Sequence, residues 1–429
     1  MNETVTVRES ALLGERYTRI RHKSGLDIYV YPKDLTSTYA MFATKYGSID
    51  NCFRKAGDEA FTTVPDGIAH FLEHKMFESE TGEDAFARYA KTGANANAFT
   101  SFSQTAYVFS CTDKVYESLE ILLDFVTHPY FTPETVQKEQ GIIAQEIRMG
   151  DNNPGRALIF GMLQSLYRYN PIRIEIAGTV ESISQITSDV LYRCYRTFYN
   201  LHNMVLVVCG QVTPDGVLEV ADRILKEQEP FDIVRKMPDE PREVFRKDFR
   251  RKMSVSKPQF AIGIKNPDLI ADPVKRLKYS LGMEIADNIL YGSSGEFFHS
   301  LYTDGLINGG LGYWTECTEA ANYTCVDGES GDPDEVFRRF AAYVASCRIG
   351  EEDFERNKRI LYARYVKDFD STEDIASLLL DSVLDGFELF DYLDILNSID
   401  LAYVQGLVDT VYRPECYSLT VIEPIDGQK

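Results

Sequence analysis

Three polar residues, His70, Glu73 and His74, lie together in the segment "IAHFLEHKMFE" of a chain that has six histidines in 429 residues. On a helix, residues four apart lie on one face, one turn from each other. His70 and His74 could therefore reach the same metal ion, and Glu73 would share their face. Neutral imidazoles suit Zn²⁺, and a carboxylate beside a zinc-bound water can take its proton and pass it to a leaving group. The spacing predicts a metal site with a general base.

A zinc ion needs a third protein ligand, and a later segment offers two candidates. "VQKEQGIIAQEIRMG" contains Glu139 and Glu146, which are seven residues apart and so two turns along one helix face. Either carboxylate could bind the metal while the other forms a hydrogen bond to one of the ligands and orients it. The residue types and their spacing leave that choice open.

An internal repeat tests whether these residues belong to one site. "GIAHFLEH" at 67–74 aligns without a gap with "EIADNILY" at 284–291, and residues 131–146 align with 349–364 at nearly the same offset. The polar residues and their counterparts are His70 and Asp287, Glu73 and Leu290, His74 and Tyr291, Glu139 and Asn357, and Glu146 and Arg364. Histidines on a helix face are more often surface or core residues, but joint loss of all five is what one shared site would produce.

Periodicity predicts the elements that must position these residues. Strands are expected at 17–32, 38–46, 99–111, 204–212 and 245–265, and helices at 65–79, 84–91, from 112, 132–149, 275–291, 333–347 and 350–369. The polar, proline-containing stretch 226–244 is the expected linker. The sequence therefore predicts two similar α+β domains, 1–228 with the metal site and 229–429 as a degenerate copy without it.

Composition excludes several classes of function. The formal net charge of −21 disfavours nucleic acid and anionic membranes as partners. No apolar run approaches the length of a membrane span, and the N-terminus lacks a basic region followed by an apolar one. The eight cysteines are scattered without a C-x-x-C pair, as expected for reduced structural thiols. A cytoplasmic protein is expected.

The order H-x-x-E-H in "HFLEHKMFE" is the inverzincin signature. With it, the chain resembles the pitrilysin and insulinase family of zinc metallopeptidases, which includes the mitochondrial processing peptidases. The resemblance extends through "GANANAFTSFSQTAYVFS", "VQKEQGIIAQEI", "IAGTVESISQIT" and "FYNLHNMVLVVCG", and covers most of residues 25–210. It implies an α+β fold of two similar domains, each a mainly antiparallel sheet covered by helices, and a metalloendopeptidase that hydrolyses short, extended peptides.

The resemblance also implies roles for the site residues. His70, His74 and Glu146 bind one zinc ion per chain, Glu73 is the general base, and Glu139 supports the site. The separation from His74 to Glu146 is slightly shorter than is usual in the family, but the seven-residue spacing of the glutamates matches.

Asn97, Ala98 and Phe99 fall where family members hold the substrate backbone. An edge strand there would capture an extended peptide by main-chain hydrogen bonds, whatever its side chains. The alternative for "NANAFTSF" is an ordinary strand with turn residues.

One departure from the family concerns the substrate clamp. Active members carry an Arg and a Tyr in a segment that aligns with "SSGEFFHSLYTDGLIN" at 293–308, where this chain has Leu301 and Asn308. Family members work as four such domains enclosing a chamber, in one long chain or two half-length chains. The resemblance thus implies a catalytic subunit whose homologous sister subunit provides the Arg and Tyr, or otherwise a homodimer.

A second hypothesis is a non-catalytic peptide-binding or assembly subunit that retains a structural zinc. Glu73 argues against it, because a structural site has no use for a free carboxylate beside an open coordination position. The sequence does not distinguish general peptides from one dedicated precursor as the substrate.

Overall fold

The computed structural model describes residues 4–425. The strands are β1 Thr4–Ser10, β2 Glu15–Arg21, β3 Asp27–Pro32, β4 Thr38–Thr44, β5 Cys52–Lys55, β6 Thr62–Thr63, β7 Asn95–Thr100, β8 Thr105–Cys111, β9 Met204–Gly210, β10 Ile233–Arg235, β11 Asp248–Met253, β12 Gln259–Lys265, β13 Gly312–Cys317, β14 Asn322–Glu329 and β15 Tyr417–Pro424. The helices are α1 Ile68–Lys75, α2 Ala85–Thr92, α3 Val115–Thr127, α4 Pro133–Asp151, α5 Pro154–Leu166, α6 Val180–Ile183, α7 Ser188–Phe198, α8 Pro214–Ile224, α9 Pro273–Tyr291, α10 Glu296–Thr303, α11 Pro333–Val344, α12 Glu351–Asp368, α13 Thr372–Asp385, α14 Tyr392–Asn397 and α15 Leu401–Val411.

These elements form two compact units that are discontinuous in the chain. The first contains the described residues up to Ile147 with Glu175–Lys236 and Val366–Leu384, and the second contains Arg148–Ile174, Met237–Tyr365 and the described residues from Asp385 onward. Helix α5 thus belongs to the second unit and almost all of α13 to the first, although each lies in the other half of the sequence. The division at residue 228 stays a prediction about the two homologous halves, because the units are defined by packing.

The first unit is built on a seven-stranded sheet with the order β1-β2-β3-β9-β4-β8-β7. All neighbours are antiparallel except β3 and β9. The apolar side chains of α1, α3 and α4 cover one face of this sheet in a single core. On the other face, Ser377 of α13 contacts Met41 and Phe369 contacts the ring of Tyr31. Strand β9 is therefore covered on both sides, which explains its uninterrupted apolar sequence and complete burial.

The second unit has a five-stranded sheet with the order β11-β15-β12-β14-β13, antiparallel except between β11 and β15. Helix α5 packs across β12 and β15. Two glycines permit this close approach. A Cβ atom added at Gly161 would lie 2.9 Å from the ring of Phe249, and one added at Gly263 would lie 2.7 Å from Met162. The α+β class and the mainly antiparallel sheets with helices on their faces are confirmed.

Three local predictions are corrected. The strand expected at 99–111 is two strands, because Ser101 donates its N–H to the carbonyl of Gln104 and turns the chain between β7 and β8. Helix α1 is shorter than 65–79, since Gly67 has a left-handed φ of 90° at its N-cap. The helix expected from residue 112 begins at Val115, after Lys114 with a φ of 51°.

All eight cysteines are free thiols. Among the described residues, no helix combines the length and the apolar character that crossing a membrane requires.

Candidate metal centre

Helix α1 carries the two histidines and buries its other face. Ile68, Phe71 and Leu72 are buried in the core of the first unit, while His70 and His74 are half-buried. The helix begins at Gly67, where a Cβ atom would lie 2.3 Å from the carbonyl oxygen of Ala177. Glycine at this position therefore lets the N-terminus of α1 approach the backbone of Ala177.

The structure brings His70, His74 and Glu146 together. One ligand atom from each lies within 4.8 Å of the others. The Nε2 atom of His70 is 3.4 Å from Oε1 of Glu146, and the Nε2 atom of His74 is 3.6 Å from Oε2 of the same carboxylate. The two imidazole rings are 4.6 Å apart between centroids. Two nitrogen atoms and one carboxylate from α1 and α4 thus converge on a single point.

Glu139 contacts the opposite side of one histidine. Its Oε1 atom is 3.0 Å from Nδ1 of His74, and the carboxylate is nearly buried. A protonated Nδ1 that donates to this carboxylate leaves the lone pair on Nε2 of His74 directed toward Glu146. Burial lowers the pKa of His74, but the hydrogen bond to Glu139 and the charges of Glu73, Glu139 and Glu146 together raise it above its usual value. The contacts therefore distinguish Glu146, which faces the Nε2 atoms of both histidines, from Glu139, which contacts Nδ1 of His74. The seven-residue spacing alone does not make this distinction.

The donor set fits zinc. Catalytic zinc sites use three protein ligands, with histidine nitrogen and glutamate oxygen among them, and leave a fourth position open. The Nε2 atom of His70 faces Glu146, whereas its Nδ1 atom is buried with no hydrogen-bond partner among the described residues. No other group of three or more histidine, cysteine or acidic side chains in the described part of the chain comes close enough to hold an ion.

Glu73 lies beside this cluster and is held by a strand. It is buried, and its Oε2 atom accepts a hydrogen bond of 2.5 Å from Oγ1 of Thr100 at the end of β7. Its negative charge contributes to raising the pKa of His74. The carboxylate is therefore fixed at one oxygen.

Strand β7 is at the end of the sheet and pairs only with β8 among the described residues. Asn95, Asn97 and Phe99 are exposed, whereas Ala96 and Ala98 pack against the core with α1. The N–H of Ala98 donates to Oδ1 of its neighbour Asn97 at 2.9 Å, so this group is directed away from β8. The predicted residues Asn97, Ala98 and Phe99 therefore lie on a free strand edge, where a peptide backbone has room to pair.

The corresponding place in the second unit has different chemistry. Asp287 is buried and accepts hydrogen bonds from Thr315 at 2.7 Å and Tyr412 at 2.9 Å, and burial raises the pKa of this carboxyl to about 7. Leu290 and Tyr291 are buried apolar neighbours of the core. Arg364 forms an ion pair with Glu284. The guanidinium of Arg364 is thus the counterpart, in the second unit, of the carboxylate of Glu146 in the first.

Two further sequence predictions can be placed. Leu301 is fully buried in α10, so its side chain is part of the core of the second unit, whereas Asn308 is exposed in the loop that follows. The residue that sequence reasoning missed is Thr100. The internal repeat carried no signal for it, since Glu73 aligns with Leu290, and Asp287, which Thr315 contacts in the second unit, aligns with His70.

Comparisons with known proteins identify a family of peptidases. The family described as insulinase (peptidase family M16) matches residues 56–180, and the peptidase M16 inactive domain matches residues 185–361. The uncharacterized zinc protease YmfH of Bacillus subtilis is 40% identical over 394 residues, which are 90% of this chain and 91% of that protein. The mitochondrial-processing peptidase subunit beta of Caenorhabditis elegans is 29% identical over 180 residues, 41% of this chain and 39% of that subunit. Among solved structures, a protein from Alicyclobacillus acidocaldarius described as an M16-like peptidase superposes with a TM-score of 0.92 at 34% identity, covering 97% of this chain and 100% of that one.

Proposed function

Because the chain belongs to the insulinase family of peptidases, M16, we propose that it is a zinc metalloendopeptidase that hydrolyses short, extended peptides. The observation that carries the proposal is the convergence of two imidazoles and a carboxylate within 4.8 Å, with a second buried carboxylate beside them. A relative described as a zinc protease over nine-tenths of the chain supports the same chemistry.

In this proposal His70, His74 and Glu146 hold one zinc ion. When bound, the ion supplies a Lewis acid that polarises the scissile carbonyl and acidifies water. Glu139 keeps the imidazole of His74 oriented through the Nδ1 contact of 3.0 Å, so that the ligand nitrogen does not rotate away.

Glu73 is the proposed general base. Its Oε2 atom is engaged by Thr100, which leaves Oε1 to accept the proton of the attacking water and to return it to the leaving amine. Burial at this site limits competition from bulk water for the same carboxylate, so the proton stays between substrate and enzyme.

The proposed substrate site is the free edge of β7. An extended peptide would add to the sheet as a further strand, with main-chain hydrogen bonds that do not depend on sequence. Docking would displace the side chain of Asn97 from the N–H of Ala98 and replace it with a substrate carbonyl. Phe99 adjoins this edge and is partly exposed. Flexible peptides should be cleaved and folded proteins should not.

The proposed working unit contains a second chain. Its proposed location is the cytoplasm. Leu301 and Asn308 stand where active relatives place an Arg and a Tyr, and Leu301 is buried, so this chain does not offer that clamp at these positions. A homologous sister subunit that provides both groups would complete the site, and a second copy of this chain is the alternative. A member of this family in Caenorhabditis elegans is described as a subunit, in keeping with paired chains elsewhere in the family.

The test of the proposed function is cleavage of a mixed peptide pool by the protein isolated under native conditions with any partner that it retains, read by mass spectrometry, with Glu73→Gln as the blank. The variant should retain about one zinc per chain and lose nearly all cleavage, since the ligands are untouched and only the base is removed. Cuts that persist in the variant at the wild-type rate would refute the assignment of Glu73. A protein whose function is unchanged by the substitution would instead be a binding or assembly subunit with a structural zinc.

A further inference from the structure

The hydroxyl of Thr100 has only one hydrogen atom, and its neighbours determine where that hydrogen goes. Oγ1 of Thr100 is 2.5 Å from Oε2 of Glu73 and 3.3 Å from Oγ1 of Thr105. Thr105 is completely buried, and its own hydroxyl donates to the carbonyl oxygen of Tyr46 at 2.9 Å. The shorter, charge-assisted contact is the stronger one, so Thr100 donates to Glu73.

We propose that Thr100 is a positioning residue for the general base: its hydroxyl fixes the rotamer of Glu73 and directs the free Oε1 atom toward the reacting water. The inference rests on the proposed function. Glutamate has three rotatable side-chain bonds, and a carboxylate that is not held would sample several orientations. A catalytic group must be held within a fraction of an ångström of its productive position, which requires supporting contacts of this kind.

The position of Thr100 in the fold connects the base to the substrate strand. Thr100 is the last residue of β7 and pairs with Thr105 of β8 in the ladder. The residues proposed to bind the peptide backbone precede it on the same strand. A peptide that adds to β7 would order the strand that also holds Glu73. Correct docking and correct orientation of the base would then depend on one element.

The second unit contains a matched arrangement without the chemistry. Thr315 of β13 donates to the buried Asp287 of α9 at 2.7 Å, and its hydroxyl is 2.7 Å from that of Thr324, its cross-strand partner in β14. The burial, the hydrogen bond and the threonine pair are the same in kind as at Thr100. Removing the hydroxyl of Thr315 should therefore perturb stability similarly, with no direct effect on the reaction.

The experiment compares Thr100→Val with Thr100→Ser and with Thr315→Val as the matched control, each assayed in the assembly isolated under native conditions so that the groups of the proposed partner are present. In Thr100→Val, kcat should fall about 10–100-fold, as is typical when a group that orients a site residue is removed, while KM changes by less than about threefold. Zinc affinity, measured by competition with a chelator, should stay within about twofold of wild type, because the ligands are not touched. Thr100→Ser should restore kcat to within about threefold, and Thr315→Val should leave kcat unchanged.

Several outcomes would overturn the inference. An unchanged kcat in Thr100→Val, beside an inactive Glu73→Gln, would show that the base needs no support from Thr100 while leaving the proposed function intact. A parallel loss of zinc, or an equal loss of kcat in Thr315→Val, would indicate a merely structural role. If Thr100→Val does not fold, Thr100→Ala takes its place under the same criteria. Full activity in Glu73→Gln would refute the proposed function itself.

Discussion

At the scale of single residues, Glu139 and Glu146 of α4 are chemically identical but make different contacts. Glu146 faces the Nε2 atoms of both histidines, and Glu139 contacts only Nδ1 of His74. We predict that Glu146→Gln abolishes stoichiometric zinc binding, whereas Glu139→Gln weakens it about 10–100-fold, because glutamine can still accept the hydrogen bond but carries no charge. Zinc content and chelator competition measure both effects. Equal losses, or a larger loss in Glu139→Gln, would reverse the proposed assignment of ligand and support.

Asp287 is a second single residue with a measurable effect, because the ionisation of its buried carboxyl makes the free energy of unfolding depend on pH. Burial raises the pKa of its carboxyl from 3.8 to about 7. Between these two pH values the folded state keeps a proton on Asp287 that the unfolded state has already released. Its stabilising contribution is complete below the unfolded pKa and is lost as the pH rises through about 7. Relative to wild type, Asp287→Asn should therefore become progressively more stable in urea unfolding as the pH rises toward about 8. A difference between the two proteins that does not change with pH would contradict this.

At the scale of elements, α5 packs in the second unit and almost all of α13 in the first, although each lies in the other half of the sequence. This arrangement depends on close packing against a sheet. Gly161 of α5 meets Phe249 and Thr420, and a methyl group there would lie 2.9 Å and 3.1 Å from them. We predict that Gly161→Ala lowers the free energy of unfolding by about 1–3 kcal/mol through overpacking. Gly406→Ala in α15 is the control: a Cβ atom meets nothing within 4 Å there, so better helix propensity should raise stability by about 1 kcal/mol. Chemical denaturation separates the two, and a stabilised Gly161→Ala would show that α5 is not tightly packed.

The same elements show what a sequence can predict. Helix α4 was predicted because Thr132 and Pro133 mark its start, and strand β9 because its apolar residues form a short continuous run. The turn at 101–104 was missed because "SFSQ" contains neither glycine nor proline. The exchange of α5 and α13 was not predictable, since an amphipathic pattern reveals that a face is buried but not which sheet buries it. The contact of Thr100 with Glu73 joins a strand to a helix 27 residues away, which no local pattern encodes.

At the scale of the whole molecule, the chain combines a complete candidate metal site with an incomplete candidate substrate site. The first unit contains the histidines, both glutamates and the free strand edge, whereas the second unit has a buried Leu301 at the expected clamp position. A clamp that recognises a peptide carbonyl acts mainly on the transition state, so its absence should reduce kcat far more than it reduces metal binding. An isolated chain with zinc and little activity is the expected state of such a half.

The proposed partner of this chain can be identified by mass. We predict that the protein isolated from its own cells under native conditions is found with a second, homologous chain of similar length, and that native mass spectrometry gives roughly twice the 48.8 kDa of this chain. Peptide cleavage by the pair should exceed that of this chain alone by about 100-fold, as expected when groups that polarise a carbonyl are restored. Substituting the Arg or Tyr of the partner should remove that gain without changing the zinc content of this chain, which serves as the internal control. A homodimer with full peptidase activity would contradict the prediction, because it would show that the site is completed without an outside Arg and Tyr.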